Sequence, residues 1–169
     1  MVDTGPWTVT DEASLVACYD QSVAHVYRYA SRLTGNDRAR TDDLVQDVYL
    51  GLVRSTREGG PTSVGLGWLC TSARHRFLDR LRGEAREERR LRLIVSPVDE
   101  SPIELAEVAV SGLAELPDRE RVALVLRYLD DLSVPEVAEA MGLSVHATES
   151  LLARARRRMR NQEVRDAGS

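Results

Sequence analysis

Three polar side chains on one short stretch have the types and the spacing that could do chemistry. Asp43, Gln46 and Asp47 lie three and four residues apart, so a helix presents them on one face together with Leu50. Paired carboxylates can act as general acid and base. Because the sequence places no nucleophile, metal ligand or phosphate-binding glycine motif beside them, two interpretations stay open: a solvated helix face, and a surface for a protein partner.

The cysteines and histidines offer little further chemistry. Cys18 and Cys70 form no spaced metal signature and are too few for a disulfide scaffold. Cys18 and His25 are seven residues apart and could share a helix face, where two core residues are expected rather than half a metal site. We therefore predict no metal and no cofactor.

Basic charge is concentrated in two segments, although the chain carries a formal net charge of −4. Residues 74–92 hold eight arginines and four acids, and residues 154–165 hold six arginines and one acid. Residues 99–120 between them hold seven acids and one arginine. This segregation favours confined contacts with a polyanion over general coating of DNA. Ordinary solvated helix faces, with arginines near a helix C-terminus, remain the alternative.

The elements that must position these residues are predicted to be helices. Aromatic residues make up 5% of the chain, helical periodicity dominates, and no stretch alternates like a strand. Residues 15–33 form a helix that Gly35 ends, and Thr41 is the N-cap of a second helix. Residues 58–67, with four glycines and a proline, are predicted to be a loop, and a third helix covers residues 67–92.

A break at residues 95–102 separates these helices from four shorter ones. The apolar residues at 105–116 predict the first of these helices. Those at 122–129 predict the second, with Leu129 on its inward stripe. Ser133 and Glu136 form a capping box for the third, and Gly142 and Ser144 lead into the fourth. This is the helix-turn-helix pattern, whose second helix enters the major groove of DNA. The inward stripe of that helix is predicted to be Val145, Thr148, Leu152, Ala155 and Met159.

The sequence thus predicts an all-α fold of two small helical domains joined by a linker, the second a helix-turn-helix DNA-binding domain. The predicted bounds are residues 1–93, 94–102 and 103–169. No apolar run is long enough to span a membrane, and the N-terminus lacks a signal pattern. We therefore expect no membrane insertion and a cytoplasmic location.

Three motifs in this order carry a resemblance to a known family. They are "TDDLVQDVYLGLVR" at residues 41–54, "GWLCTSARHRFLDRLR" at residues 67–82, and the helix-turn-helix segment at residues 113–160. The chain resembles the extracytoplasmic-function (ECF) class of bacterial sigma factors, within the sigma-70 family, over nearly its whole length. The first motif is similar to the family's core-polymerase-binding helix, and the second to its promoter-opening helix.

The resemblance implies a non-catalytic subunit that binds core RNA polymerase, directs it to promoters and opens the DNA. The first domain corresponds to sigma region 2 and the second to sigma region 4. Implied partners are the largest and second-largest polymerase subunits, promoter DNA, and an anti-sigma factor that covers the polymerase-binding surfaces. The linker is expected to run along the polymerase towards the RNA path.

The resemblance also assigns residues to three contacts. The clamp helices of the largest polymerase subunit are contacted by Asp43, Leu44, Gln46, Asp47 and Leu50. The unpaired strand of the −10 element is held by a flexible loop at residues 55–67 and by Trp68, Arg74, His75, Arg76, Asp79, Arg80 and Arg82. The −35 element is contacted by Ser144, His146, Thr148, Glu149, Ser150, Arg154, Arg157 and Arg158.

Some positions depart from the family pattern. His75 replaces the usual asparagine, Glu149 and Leu151 occupy positions that are often basic, and Ala153 stands where an aromatic residue is sometimes seen. A promoter sequence cannot be carried over from relatives. The alternatives are a stand-alone helix-turn-helix regulator, against which both upstream motifs argue, and an enzyme acting on nucleic acid, for which no catalytic motif is present.

Overall fold

The computed structural model of the protein describes residues 5–91 and 110–166, with side chains described at residues 5–84 and 112–162. The chain divides into two compact units, Met1–Phe77 and Leu78–Ser169. The division falls within one long helix, which continues through it. The all-α prediction is confirmed, and the second unit contains the predicted helix-turn-helix. The predicted linker at residues 94–102 lies outside the described residues.

Helix α1 spans Glu12–Thr34 and begins and ends with local hydrogen bonds. The carboxylate of Asp11 accepts from the backbone N–H of Ser14, whose hydroxyl accepts in turn from the N–H of Asp11. This reciprocal arrangement satisfies two N–H groups that a helix N-terminus leaves free. At the other end Gly35 adopts a left-handed conformation with φ of 70°, so the predicted end of the helix is confirmed.

Helix α2 spans Arg38–Gly59 and begins earlier than predicted. Its N-cap is Asp37, whose side chain accepts from the N–H of Arg40, so the prediction of Thr41 as N-cap is wrong. Thr41 is buried inside the first turn, where its hydroxyl donates to the carbonyl of Asp37 and lies 2.6 Å from the hydroxyl of Thr34. An aspartate directly before the helix competes for the cap, and the threonine seals the contact between α1 and α2 instead.

The core of the first unit is aliphatic. Helices α1 and α2 pack against each other, and α3 (Leu66–Leu91) adds the buried side chains of Leu69, Ala73 and Phe77. The fully buried side chains of the first two helices repeat at helical spacing. They include Val26, Ala30 and Leu33 on α1 and Leu44, Val48 and Leu52 on α2.

A small sheet joins the segment before α1 to the segment between α2 and α3, contrary to the prediction of no strands. Strand β1 (Trp7–Val9) pairs antiparallel with β2 (Thr62–Val64), with Trp7 opposite Val64 and Val9 opposite Thr62. The predicted loop at residues 58–67 is therefore shorter than expected, since α2 continues to Gly59 and α3 starts at Leu66. Three-residue strands are too short to show an alternating pattern, and their pairing is distant in sequence.

The second unit is built from α4 (Val110–Leu113), α5 (Asp118–Leu124), a π-helical turn (Val125–Leu129), α6 (Val134–Met141) and α7 (Val145–Asp166). Helix α7 packs against α4, α5 and α6. The capping box of Ser133 and Glu136 and the left-handed Gly142, with φ of 65°, are confirmed. The hydroxyl of Ser144 accepts from the N–H of Ala147, so the predicted cap of α7 is also confirmed. Residues 105–109 lie outside the described residues.

The π-helical turn changes which side chains face the core. The backbone N–H of Asp130 bonds to the carbonyl of Val125, five residues earlier. The wider turn shifts the phase of the side chains that follow. Leu129, predicted to continue the stripe of Val125 and Leu126, is therefore exposed, while those two are buried.

Candidate protein-binding groove and nucleic-acid interfaces

A groove of about 550 Å³ runs between α1 and α2. Two large apolar side chains at its edge are unusually open to solvent, with Tyr19 43% exposed and Leu50 44% exposed. Exposed apolar surface beside polar residues is typical of a protein-binding site. The groove is lined by Tyr19, Val23, Tyr27, Asp42, Asp43, Val45, Gln46, Tyr49, Leu50 and Val53.

The groove contains an uncharged aromatic pair. The ring of Tyr19 meets that of Tyr49 edge to face, with centroids 4.8 Å apart. The hydroxyl of Tyr49 lies 2.7 Å from that of Ser22, which also bonds to the carbonyl of Cys18. Burial raises the pKa of Tyr49 to about 12, so its phenol stays protonated near neutral pH.

The rim of the groove is acidic. Asp42 and Asp43 lie at the N-terminal end of α2, and Asp42 forms an exposed ion pair with Arg38 at 3.8 Å. An exposed pair of this kind adds little to stability, so the aspartates stay available to a partner. Loss of hydration, and then the nearby carboxylate of Asp42, raise the pKa of Tyr27.

The structure brings most of the predicted polymerase-contact residues together at this groove. Asp43, Gln46 and Leu50 line it and are exposed, whereas Asp47 is half-buried beside it. Leu44 is fully buried in the core, which corrects its prediction as a contact residue: it supports the face from beneath. Tyr19 and Tyr27 were missed as groove residues, because large apolar side chains at helical spacing within residues 15–33 are expected to pack in the core.

Helix α3 presents one polar and aromatic line to solvent. Trp68 is 41% exposed, and His75 and Asp79 follow it at helical spacing and are exposed as well. Arg80 is also exposed, and Arg82 forms an ion pair of 2.7 Å with Asp79. Four of the predicted −10 residues, Trp68, His75, Asp79 and Arg80, are therefore exposed on α3.

The other three predicted −10 residues, Arg74, Arg76 and Arg82, are half-buried. The guanidinium of Arg76 lies over Gly51 of α2, so close that a Cβ at residue 51 would meet its Nη2 at 1.8 Å. Arg76 therefore helps to hold α3 against α2. All three arginines remain predicted DNA contacts.

The loop before α3 is more ordered than the predicted flexible segment. Residues 55–59 belong to α2, and Gly60 caps that helix with φ of 80°. Residues 60–65, named the recognition loop from here on, contain strand β2. The hydroxyl of Thr56 donates to the carbonyl of Leu52 and lies 3.3 Å from that of Thr62, which links the end of α2 to the loop.

Helix α7 exposes some of its predicted DNA contacts and buries others. Thr148 and Ser150 are buried, at 0% and 2% exposure, so their prediction as −35 contacts is wrong in this structure. The hydroxyl of Thr148 donates to the carbonyl of Ser144, which lets a polar side chain lie in the core. Val145, predicted to face inward, is 44% exposed. The accessible predicted residues are Ser144, His146, Glu149, Arg157 and Arg158, with Arg154 half-buried.

A buried carboxylate holds two of these arginines. The side chain of Glu120 on α5 is 7% exposed and lies 2.9 Å from Nε of Arg158 and 3.9 Å from Nε of Arg154. The contact ties the arginine side of α7 to α5. The burial of Glu120 was not predicted, because an acid between two arginines in the sequence indicates a solvated charge. Leu151 is buried too, which accounts for an apolar residue at that position.

Two further observations concern membrane spans and metal sites. Within residues 5–91 and 110–166 no helix is long and apolar enough to cross a membrane. The same described residues contain no group of three or more His, Cys, Asp or Glu side chains that could hold a metal ion.

Comparison with protein families finds two matches. Residues 18–87 match the family model described as Sigma-70 region 2, and residues 110–159 match the one described as Sigma-70, region 4.

Comparison with individual proteins gives the same result. The ECF RNA polymerase sigma factor SigK of Mycolicibacterium vanbaalenii is 32% identical over 152 residues, covering 83% of this chain and 76% of the relative. The ECF RNA polymerase sigma factor SigM of Bacillus subtilis is 29% identical over 158 residues, covering 88% of this chain and 96% of the relative. Among solved structures, this chain aligns with the sigma factor RpoE of Bartonella quintana, which was solved in complex with the anti-sigma factor NepR. The TM-score is 0.47 and the identity 20%, and the alignment covers 89% of this chain and 96% of RpoE.

Proposed function

Because this chain belongs to the ECF class of sigma-70 family sigma factors, we propose that it binds core RNA polymerase, directs it to specific promoters and promotes opening of the DNA. The observation that carries the proposal is the groove between α1 and α2, where exposed Tyr19 and Leu50 lie beside Asp43 and Gln46. A sigma factor acts as an initiation subunit rather than a catalyst, and its polymerase places it in the cytoplasm.

Polymerase binding is assigned to this groove. Its apolar edge supplies buried area on association, and its acidic rim supplies complementarity to a basic partner. Asp43, Gln46 and Leu50 are the proposed direct contacts with the clamp helices of the largest subunit, with Asp47 beside them. Tyr19 is added to the set because its exposed ring extends the apolar edge.

Recognition of the −10 element is assigned to the recognition loop and the exposed line of α3. Single-stranded DNA is held by aromatic stacking and by cations that follow the backbone. Trp68 supplies an exposed aromatic face, and Arg80 and Arg82 supply cations further along the helix. The loop supplies the walls that an extruded base requires.

Recognition of the −35 element is assigned to the N-terminal part of α7. His146 and Glu149 are exposed there and can reach base edges, and Glu can accept a hydrogen bond from cytosine N4. Arg157 and Arg158, further along, are the proposed phosphate contacts. Because Glu120 holds Arg158 by its Nε atom, the terminal nitrogens of that guanidinium remain the proposed phosphate donors.

An anti-sigma factor is the proposed regulatory partner. A protein that covered the groove would bury the exposed Tyr19 and Leu50 and would exclude polymerase from the same side chains. This inhibitor and the polymerase would therefore compete directly.

Run-off transcription with purified core polymerase on genomic fragments tests the proposal. Asp43→Arg reverses a charge at the groove and should lower initiation about ten-fold or more, because like charges across an interface cost several kcal/mol. Glu58→Arg is the matched control, since Glu58 is an exposed acid on the same helix that does not line the groove.

The outcome is interpretable only if both variants fold. Equal thermal unfolding temperatures of the two variants establish this point. A folded Asp43→Arg variant that initiates as well as Glu58→Arg would show that the groove does not bind polymerase. A wild-type chain that supports no run-off transcript from any fragment would contradict the proposed function itself.

A further inference from the structure

The recognition loop depends on a segment that lies far upstream in the chain. Half of the loop is strand β2, and β2 has its described pairing partner in β1, in the register Trp7↔Val64, Thr8↔Ser63 and Val9↔Thr62. An isolated short strand has no stability in water, so its conformation requires a partner and a face to pack on. Residues 7–9 supply that partner.

The sheet is anchored on one face. Val9 is 2% exposed and Val64 is 1% exposed, whereas Thr8 and Ser63, which point to the other side, are exposed. Strand β1 packs on α1 and β2 packs on α2. The loop is therefore held by two buried valines between the start of one helix and the end of another.

Polar contacts and one close approach add to this anchoring. The indole N–H of Trp7 donates to Oε1 of Gln21 on α1 at 2.9 Å. At the far end of the loop, a Cβ on Gly5 would lie 3.2 Å from the Cα of Gly65, and Gly5 has φ of 82°. Glycine alone fits both the spacing and the backbone angle there without strain.

We propose that strand β1 is a positioning element for promoter recognition, which holds the recognition loop in the shape that accepts the unpaired −10 base. The inference rests on the proposed function, in which this loop forms the walls of the base pocket. A loop that is ordered before DNA arrives loses less conformational freedom on binding. Residues outside the DNA contact surface would then determine how strictly the −10 bases are read.

Val9→Ser in reconstituted holoenzyme is the direct test. Serine removes the buried methyl groups that anchor β1, and Thr8→Ser is the matched control because it introduces the same residue at the neighbouring exposed position. The readout is a ratio of two opening rates. The first is measured on a promoter found by run-off transcription, and it is divided by the rate on a copy of that promoter with a single change at the −10 bases. We expect Val9→Ser to reduce this ratio about ten-fold, the factor equivalent to one stacked base, and Thr8→Ser to preserve it.

Two further measurements separate positioning from loss of the fold. Affinity for core polymerase should stay unchanged in Val9→Ser, because no residue of β1 lines the groove. Amide hydrogen exchange should become faster at residues 62–64. Trp7→Phe keeps an aromatic ring but removes the five-membered ring of the indole with its N–H, which donates to Gln21. It should show a smaller loss of −10 base preference and a smaller increase in exchange, and it serves if Val9→Ser does not fold. A −10 base preference that persists in the folded variants overturns the inference, as does unchanged exchange in the loop.

Trp68→Ala distinguishes failure of this inference from failure of the proposed function. If Trp68→Ala lowers promoter opening and folded Val9→Ser keeps full base preference, the α3 assignment stands and the role of β1 is wrong. If Trp68→Ala opens promoters normally, the proposed −10 site is itself wrong.

Discussion

At the scale of single residues, Glu120 is a charged side chain that the sequence analysis did not single out and that the structure buries. It is a carboxylate at 7% exposure that has two arginines of α7 as partners. A buried charge is tolerated only when it is paired, and removing one partner leaves the other uncompensated. Glu120 therefore fixes the position of the arginine side of α7 relative to α5.

Glu120→Gln should lower the free energy of unfolding by roughly 1 to 2 kcal/mol, since two ion pairs are lost, each worth up to about 1 kcal/mol because the arginines are partly exposed to water. Urea unfolding of the full chain measures the change. Glu115→Gln is the control, because Glu115 is exposed and accepts a hydrogen bond from Gln162 on the same helix α7. Equal losses in both variants would mean that the burial of Glu120 has no energetic consequence.

At the scale of elements, short helix α6 owes its start to the capping box at Ser133. The backbone N–H and the hydroxyl of Ser133 both bond to Oε2 of Glu136, at 2.7 Å and 2.6 Å. Hydrogen bonds from the Ser133 side chain, and then from its backbone, lower the pKa of Glu136 below its ordinary value of 4.5. Because the pKa is lowered in the folded state, the stabilisation is present above the ordinary pKa and is lost as the pH falls through the folded one.

Glu136→Gln should therefore flatten the acid side of the stability profile. Wild-type protein should lose more thermal stability than this variant between about pH 6 and about pH 3, because only the wild type has a carboxylate to protonate at the cap. Differential scanning calorimetry at a series of pH values measures the difference. Glu139→Gln changes an exposed position of the same helix and should follow the wild-type profile. If its profile were as flat as that of Glu136→Gln, the capping box would not be the cause of the acid sensitivity.

The elements also show what the sequence could and could not predict. Gly35, Gly142 and the Ser133 box were predicted correctly because a helix end is determined by neighbouring residues. The β1–β2 pairing was missed because its two strands are short and far apart in sequence. Thr148 is buried as its place on the predicted inward stripe of α7 requires, whereas Ser150 was misplaced because a small polar side chain fits a core or a surface equally well, and only packing decides between them.

At the scale of the whole molecule, charge is distributed to suit delivery by a larger assembly. The formal net charge is −4, and the arginines are concentrated in two segments. General attraction to duplex DNA depends on the number of phosphates that cations neutralise, and acidic surface opposes it. Two of the α7 arginines are, in addition, engaged by Glu120.

The isolated chain should therefore bind promoter duplex weakly at physiological salt, while the holoenzyme binds it tightly. Gel-shift titration of the same fragment with chain alone, core alone and both together measures this difference. A random fragment of equal length is the control for general attraction. Tight binding by the chain alone would show that its two DNA interfaces need no polymerase.

The β1–β2 pairing also has a consequence for the order in which the protein is made. Residues 7–9 leave the ribosome early, but their partner at residues 62–64 does not exist until both α1 and α2 have been synthesised. Long-range pairings close late because local helices form first. We therefore expect the recognition loop to be among the last parts of the first unit to take shape, so that a nascent chain carrying both helices still lacks the loop that we propose to read the −10 element.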